Sequence, residues 1–286
     1  MSSTYTQFRY SLKQLLIAIL SSFPLSWIKW LLKLDSIPNL PRVARLGLKK
    51  RNLTITEGVG AGLKFNTGAA DSDFALGTYE LPVQEILAKY LKSGDIFYDI
   101  GANIGFFSVI AARLVGTSGH IYAFEPVKEN AACIRHNIKL NDFSQITLLE
   151  KAVSSSAGEG EMLLTLHPGG HALSTVYTPP DIQSSLTVEL VSIDDLVAQK
   201  ILLPPTVVKI DVEGAEIDVL RGMKQTIQQF KPILIYEVDD GNKESLTQKS
   251  QEIETFISYF DYKITPLADA YPLIQWYVNH AIAIPQ

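Results

Sequence analysis

Asp95-Ile-Phe-Tyr-Asp-Ile-Gly-Ala-Asn-Ile-Gly-Phe-Phe-Ser108, followed by His120-Ile-Tyr-Ala-Phe-Glu-Pro126, is the part of the chain that decides its fold. Ile96–Ile100 reads as a buried strand, the glycines as a turn, the apolar residues after Gly105 as a helix, and His120–Glu125 as a second strand ending in an acid. Such a unit belongs to a parallel sheet, and open parallel sheets bind ligands at the carboxyl ends of their strands. Gly101 lets the chain turn out of the strand without a Cβ clash, and Gly105 is expected to let the next helix pack close to the sheet. A nucleoside bound there would place its ribose against Glu125 and its other end against the turn.

The kind of nucleoside follows from the turn. A dinucleotide site needs Gly-x-Gly-x-x-Gly, so that backbone can approach a pyrophosphate. Here the third position is Asn103 and the sixth is Phe106, and that approach is expected to be blocked. A cofactor without phosphate fits better: Asp99 can hold an ammonium group, the turn can line an aliphatic tail, and Glu125 can accept from both ribose hydroxyls. S-adenosylmethionine has this make-up.

Outward from this unit, strands are expected at 146–150, 207–211 and 233–238, with helices near 78–91, 105–114, 128–140, 193–199, 215–230 and 242–260. The alternation predicts a parallel sheet covered on both faces. Leu53–Phe65 reads as a glycine-broken hairpin, and 262–265 and 274–284 as two further β-like pieces. Residues 154–190 form an insertion rich in turn residues, with His167-Pro-Gly-Gly-His171, a turn at Thr178-Pro-Pro-Asp181 and a strand at 186–191; insertions of this kind often cover a ligand.

The chain of 286 residues is 47% hydrophobic, enough for an ordinary core. Its one cysteine, Cys133, excludes a disulfide framework, fits a cytoplasmic setting and reads as a small helix hydrophobe. Charge is uneven: residues 1–51 hold nine Lys or Arg against one acid, Asp35, while the whole chain carries −5. The acidic remainder shows no basic groove, so nucleic acid is not an expected partner.

Residues 1–51 are read as a basic, apolar, helical extension, and 52–286 as the domain. Within the extension, 8–34 is strongly apolar, but its charge-free run Gln14–Ile28 is interrupted by Pro24 and falls short of a membrane span. Ser22, Ser26, Lys29 and Lys33 share one helical stripe, with Trp27, Trp30, Leu31 and Leu34 elsewhere. Three readings stand side by side: peripheral contact with a membrane surface, packing on the domain or a sister subunit, and spanning or export.

A second motif lies at Val208-Lys-Ile-Asp-Val-Glu-Gly-Ala-Glu-Ile-Asp-Val-Leu-Arg-Gly222. Lys209, Asp211 and Glu213 alternate along the expected strand and so share one face at its carboxyl end. Together with Asp99–Gly105, Phe124-Glu-Pro126 and Lys151-Ala-Val153, this segment resembles the FkbM-type methyltransferase family, over about 80–238 with a tail near Asn279. The resemblance implies a class I methyltransferase, Rossmann-like fold: a three-layer sandwich around a mostly parallel seven-stranded sheet whose last strand is antiparallel. It implies O-methyl transfer from S-adenosylmethionine to a hydroxyl of a glycan, a lipid-linked sugar or a secondary metabolite. Carried onto this chain, it places Glu80, Asp99, Gly101, Ala102, Asn103, Gly105, Glu125 and Pro126 at the cofactor, with Ala152 beside the adenine.

A sugar hydroxyl is a weak acid, so a proton acceptor helps its methylation. Asp211 or Glu213, with Lys209 between them, is the first choice, and His171 in the glycine-flanked insert the second. His120, His136 and His280 read as structural. No metal is expected, although Asp211, Glu213 and Glu237 form an alternative cation set. Two other functions remain open on sequence alone: a nicotinamide-dependent oxidoreductase, opposed by the missing glycines, and a non-catalytic cofactor- or glycan-binding module, opposed by the intact acids.

Overall fold

The computed structural model describes residues 12, 15–20, 22–32, 34, 37, 39–165, 170–176, 181–271 and 277–286. His167 and most of the Thr178-Pro-Pro-Asp181 turn lie outside them. After a helical stretch at 15–20, the elements are α1 (Leu25–Leu32), α2 (Leu40–Arg45), β1 (Asn52–Thr54), β2 (Lys64–Asn66), α3 (Asp73–Leu76) and α4 (Leu81–Tyr90). Next come β3 (Ile96–Ile100), α5 (Phe106–Val115), β4 (His120–Phe124), α6 (Lys128–Leu140) and β5 (Ile146–Leu149). The insertion supplies β6 (Ala152–Val153), β7 (Gly158–Thr165), β8 (Ala172–Leu173) and β9 (Ile182–Val191). The chain ends through α7 (Ile193–Ala198), β10 (Val207–Ile210), α8 (Glu216–Gly222), α9 (Lys224–Phe230), β11 (Ile233–Asp240), α10 (Lys243–Ser258), β12 (Tyr262–Pro266) and β13 (Tyr277–Pro285).

The main sheet has seven strands in the order β12-β13-β11-β10-β3-β4-β5. The central strands β11, β10, β3, β4 and β5 run parallel, and β13 inserts antiparallel between β11 and β12. This is the class I methyltransferase, Rossmann-like arrangement. Alternation along the strands sorts the core. Tyr98, Ile100, Val208, Ile210, Leu234 and Tyr236 pack on one face with α8, α9 and α10 residues such as Val219, Ile227 and Ile257. Phe97, Val207, Ile235 and Ile282 pack on the other with Val83 and Leu87 of α4 and Val109 and Ile110 of α5.

The hairpin forms as expected, with Leu53 paired to Phe65. The helix expected over 215–230 is two helices, broken at Met223. The break has partners of its own. The Ser192 hydroxyl donates to the Gly222 carbonyl at 3.0 Å, and the Asp194 carboxylate caps α9 by accepting the Gln225 and Thr226 N–H groups at 2.8 Å each. The insertion is a second sheet, β6-β9-β7-β8, rather than a loop. Its inner side chains, Met162, Leu173 and Val188, pack with Val127, Ala152 and Ala215 and so roof the carboxyl edge of the main sheet.

Candidate active site

The turn after β3 is tied to the end of β4: Gly101 and Ala102 N–H both donate to the Phe124 carbonyl, at 3.1 and 2.9 Å. Gly101 has φ 81, and a Cβ there would lie 1.7 Å from the Asp211 carbonyl oxygen, so the turn rests directly on the end of β10. Gly105 has φ 82, but its close neighbour is Ile134 of α6, 3.1 Å from a would-be Cβ; the contact is with the adjacent helix and not with the sheet. Phe106 also departs from expectation. It is 2% exposed and packs on Phe65 and Phe74 with ring centroids 5.5 and 5.3 Å away, so it fills the core and leaves the turn unobstructed.

Asn103 adopts φ 51, a left-handed conformation that asparagine tolerates better than most residues. Its N–H donates to Glu125 Oε2 at 2.9 Å, and the Val127 N–H donates to Glu125 Oε1 at 2.9 Å. One carboxylate therefore holds two loops together along the wall of a cleft. Gly101, Asn103, Glu125, Pro126 and Ala152 line this cleft, with Val127, Met162 and Leu173 adding apolar wall. The Asn103 Oδ1 atom is buried with no hydrogen-bond partner, which leaves an acceptor aimed at a donor the chain does not supply. Lys151 also lines the cleft, but its ammonium is paired with Glu189 at 2.5 Å. A carboxylate, an orphaned amide oxygen, an apolar slot and an already neutralised lysine fit a phosphate-free nucleoside such as S-adenosylmethionine better than a pyrophosphate.

Burial pushes the Glu125 carboxyl up to about 8, against the pull of its two backbone N–H donors. Ribose hydroxyls bond most strongly to the ionised form, so cofactor must favour loss of that proton. The sign follows: affinity for S-adenosylhomocysteine rises as pH approaches 8 from below, by up to about tenfold per pH unit, and levels off above. Calorimetric titrations at pH 6, 7 and 8 test this; a flat profile across that range contradicts it.

A buried charged row runs along the face of the sheet that carries α5. Lys209 is the direct cross-strand neighbour of Asp99, and Glu237 of His280. Lys209 is 3% exposed, with its Nζ 2.8 Å from Asp211 Oδ2 and 4.8 Å from the centre of the Phe107 ring. Burial alone would lower its pKa, but Asp211, Glu80 and Asp99 outweigh that and hold the ammonium charged. Asp99 is fully buried, accepts from Ser108 Oγ at 2.5 Å and stands behind the turn, away from the cleft wall. Glu80 likewise stands behind the cleft. It begins α4 at φ 42, receives the Tyr271 hydroxyl on Oε1, and has Oε2 3.5 Å from His280 Nε2. Neither residue lines the cleft.

His280 is not a bystander of the sheet edge. Its Nε2 lies 2.6 Å from Glu237 Oε2, close but off the line of a good hydrogen bond, so the contact is chiefly ionic. Burial would lower its pKa, yet Glu237 and Glu80 raise it to about 10 and keep it an imidazolium. Among the described residues, the set that converges within 4.8 Å is therefore Glu80, Glu237 and His280, and not Asp211, Glu213 and Glu237. A proton on His280 already supplies its positive charge.

The strand expected to carry Lys209, Asp211 and Glu213 stops at Ile210. Asp211 continues the ladder by donating its N–H to the Ile100 carbonyl at 3.0 Å, whereas Glu213 sits in a left-handed turn at φ 55. Its place on the cleft wall comes from that turn and not from strand alternation. Burial, then repulsion from Asp239, Asp211 and Glu237, raises the Glu213 pKa well above the usual carboxylate range. His171 lines the cleft from the insert, but its Nδ1 accepts the Thr165 N–H at 3.1 Å. The neutral ring then carries its proton on Nε2 and offers a donor, which weakens it as a base. Sequence reading passed over Tyr79 and Asn130 as cleft residues and reached Glu237 only as part of an alternative cation set. For Glu237 the available signal was an acid at the carboxyl end of a core strand.

Residues 99–264 match the model of the methyltransferase FkbM domain. The hexuronic acid methyltransferase AglP of Haloferax volcanii is 28% identical over 160 residues, covering 54% of this chain and 61% of that protein. The 31-O-demethyl-FK506 methyltransferase FkbM of Streptomyces tacrolimicus is 27% identical over 160 residues, covering 47% of this chain and 61% of the relative. The chain thus spans less than two thirds of the length of either. A solved methyltransferase FkbM from Methylobacillus flagellatus KT superposes with a TM-score of 0.46 at 19% identity, over 67% of this chain and 43% of that one. By the domain match over more than half its length, the chain belongs to the FkbM family of S-adenosylmethionine-dependent methyltransferases.

Proposed function

We propose that the protein methylates a hydroxyl of a glycan, a lipid-linked sugar or a secondary metabolite, with Glu213 as the proton acceptor. One observation carries this reading: a single cleft joins the Glu125–Asn103 nucleoside site to a wall bearing Asp211, Glu213 and Glu237. Bound S-adenosylmethionine supplies an electrophilic methyl carbon. The residues of the chain then have to orient the acceptor, exclude water and take one proton. The roof of Met162 and Leu173 excludes water. Asp211, fixed by Lys209, accepts a hydrogen bond from the acceptor. Glu213, made more basic than an ordinary carboxylate by burial and by Asp239, Asp211 and Glu237, takes the hydroxyl proton in its ionised form as the new C–O bond forms and the C–S bond breaks. The names of the two curated relatives, one for a hexuronic acid and one for 31-O-demethyl-FK506, support an acceptor of the sugar or secondary-metabolite class.

The test is transfer of labelled methyl from S-adenosylmethionine to a panel of uronic-acid glycans and hydroxylated metabolites. Glu213→Gln is expected to lower kcat by about 100-fold with cofactor affinity retained. Wild-type turnover in that variant moves the proton acceptor elsewhere. No transfer to any acceptor by folded, cofactor-binding protein argues against the acceptor class.

A further inference from the structure

The amino-terminal segment is apolar on two sides, and the domain covers one of them. Inward, Ile17, Leu20 and Ile28 are buried, the last two packed with Leu48, Leu53 and Ala75. Outward, Leu15 and Ile19 lie one turn apart in the 15–20 helix, and Trp27 and Trp30 one turn apart in α1. All four are exposed, each tryptophan at 61%, and Phe23 between the helices stacks edge-on against Trp27 at 6.2 Å. The Arg51 guanidinium donates to the carbonyls of Leu20 and Phe23, so the bend between the two helices is held to the domain and the stripe has a fixed aspect.

Charge decides what covers the stripe. Residues 1–51 hold Arg9, Lys13, Lys29, Lys33, Arg42, Arg45, Lys49, Lys50 and Arg51 against Asp35 alone, an excess of +8 in a chain of net −5. Pairing of this segment with the same segment of a second copy would bring together two stretches that each carry a sequence charge of +8. An anionic bilayer gains from the same charge, and tryptophans beside basic residues are what the headgroup boundary accommodates. No helix of the described residues is long and apolar enough to cross a membrane. We infer that the stripe Leu15–Ile19–Phe23–Trp27–Trp30 lies in the plane of an anionic lipid surface and holds the domain against it.

The test is flotation of the full chain with vesicles of phosphatidylcholine alone and of phosphatidylcholine mixed with anionic phosphatidylglycerol. Binding is expected to the anionic vesicles only, to weaken with salt, and to fall at least about tenfold in Trp27→Ala/Trp30→Ala while affinity for S-adenosylhomocysteine is unchanged. Brominated lipids give a readout on the unaltered protein, since two of its three tryptophans lie in the stripe and should be quenched. Absence of wild-type protein from anionic vesicles, equal binding to neutral ones, or full binding by the double variant overturns the inference. So does a wild-type dimer that ignores vesicles and dissociates in the double variant, which would assign the stripe to a second copy.

Discussion

Gly101→Ala is expected to lower the free energy of unfolding by about 4 kcal/mol or more, among the largest losses a single methyl group can cause. Two effects combine. An L-residue at φ 81 is strained by roughly 1–2 kcal/mol. The added Cβ would also stand 1.7 Å from the Asp211 carbonyl oxygen and 2.8 Å from its carbon, backbone atoms that cannot rotate aside. Relief requires the ends of β3 and β10 to separate, which would move Asp211 and the turn that carries Glu213. Gly105→Ala is the internal control. It shares the positive φ, but its nearest neighbours are side-chain atoms of Ile134 at 3.1 Å or more, so a loss of about 1–2 kcal/mol is expected. Urea denaturation of both variants measures the ordering; equal losses would mean that backbone strain alone, and not the close approach to β10, fixes the glycine at 101.

Lys209→Met is expected to cost about 3–5 kcal/mol at pH 8, because it removes the cation at the centre of a buried row and leaves Asp99 and Asp211 without their neighbouring cation, while Glu80 keeps His280. The methionine itself is tolerable in volume; the uncompensated carboxylates are not. Without the cation the folded pKa of Asp99, already raised by burial, rises further, and a carboxyl whose folded pKa lies above its unfolded value loses stability as pH climbs through that range. The deficit should therefore shrink as pH falls into the ordinary carboxylate range, where this carboxyl is increasingly protonated in both states. Denaturation midpoints at pH 4.5, 6 and 8 report this, and a deficit independent of pH would reduce Lys209 to a packing residue over Phe107.

How much of this was legible beforehand depended on the distance over which each feature is built. The β3 turn, the acid ending β4 and the parallel core are local patterns, each written within a few residues of Asp99 or Glu125, and they stand where expected. The roles of Asp99 and Glu80 were not local. Alternation puts Asp99 beside Lys209 on the helix-covered face, and Glu80 meets Tyr271 and His280 only after the chain has crossed the whole sheet. His280 reads as structural because its partner Glu237 is set by the antiparallel register of β13 on β11, which no spacing in the sequence encodes. Of the insertion only the strand at 186–191 was legible, because its glycines and prolines mask β7 and the first half of β9, which pair over most of their length. Glu213 was reached for a wrong geometric reason, since a left-handed turn and not a strand aims it at the cleft.

Glu125 and the Gly101–Gly105 turn are proposed as the seat of a phosphate-free nucleoside cofactor. Calorimetric titration of the full chain at pH 8 with S-adenosylhomocysteine, beside NAD and a Glu125→Ala variant, tests it most directly. The account predicts saturable binding of S-adenosylhomocysteine, weakened about tenfold or more in the variant by the loss of charged hydrogen bonds, and no heat with NAD. Folded wild-type protein that binds NAD, or that binds S-adenosylhomocysteine equally well without Glu125, would contradict it.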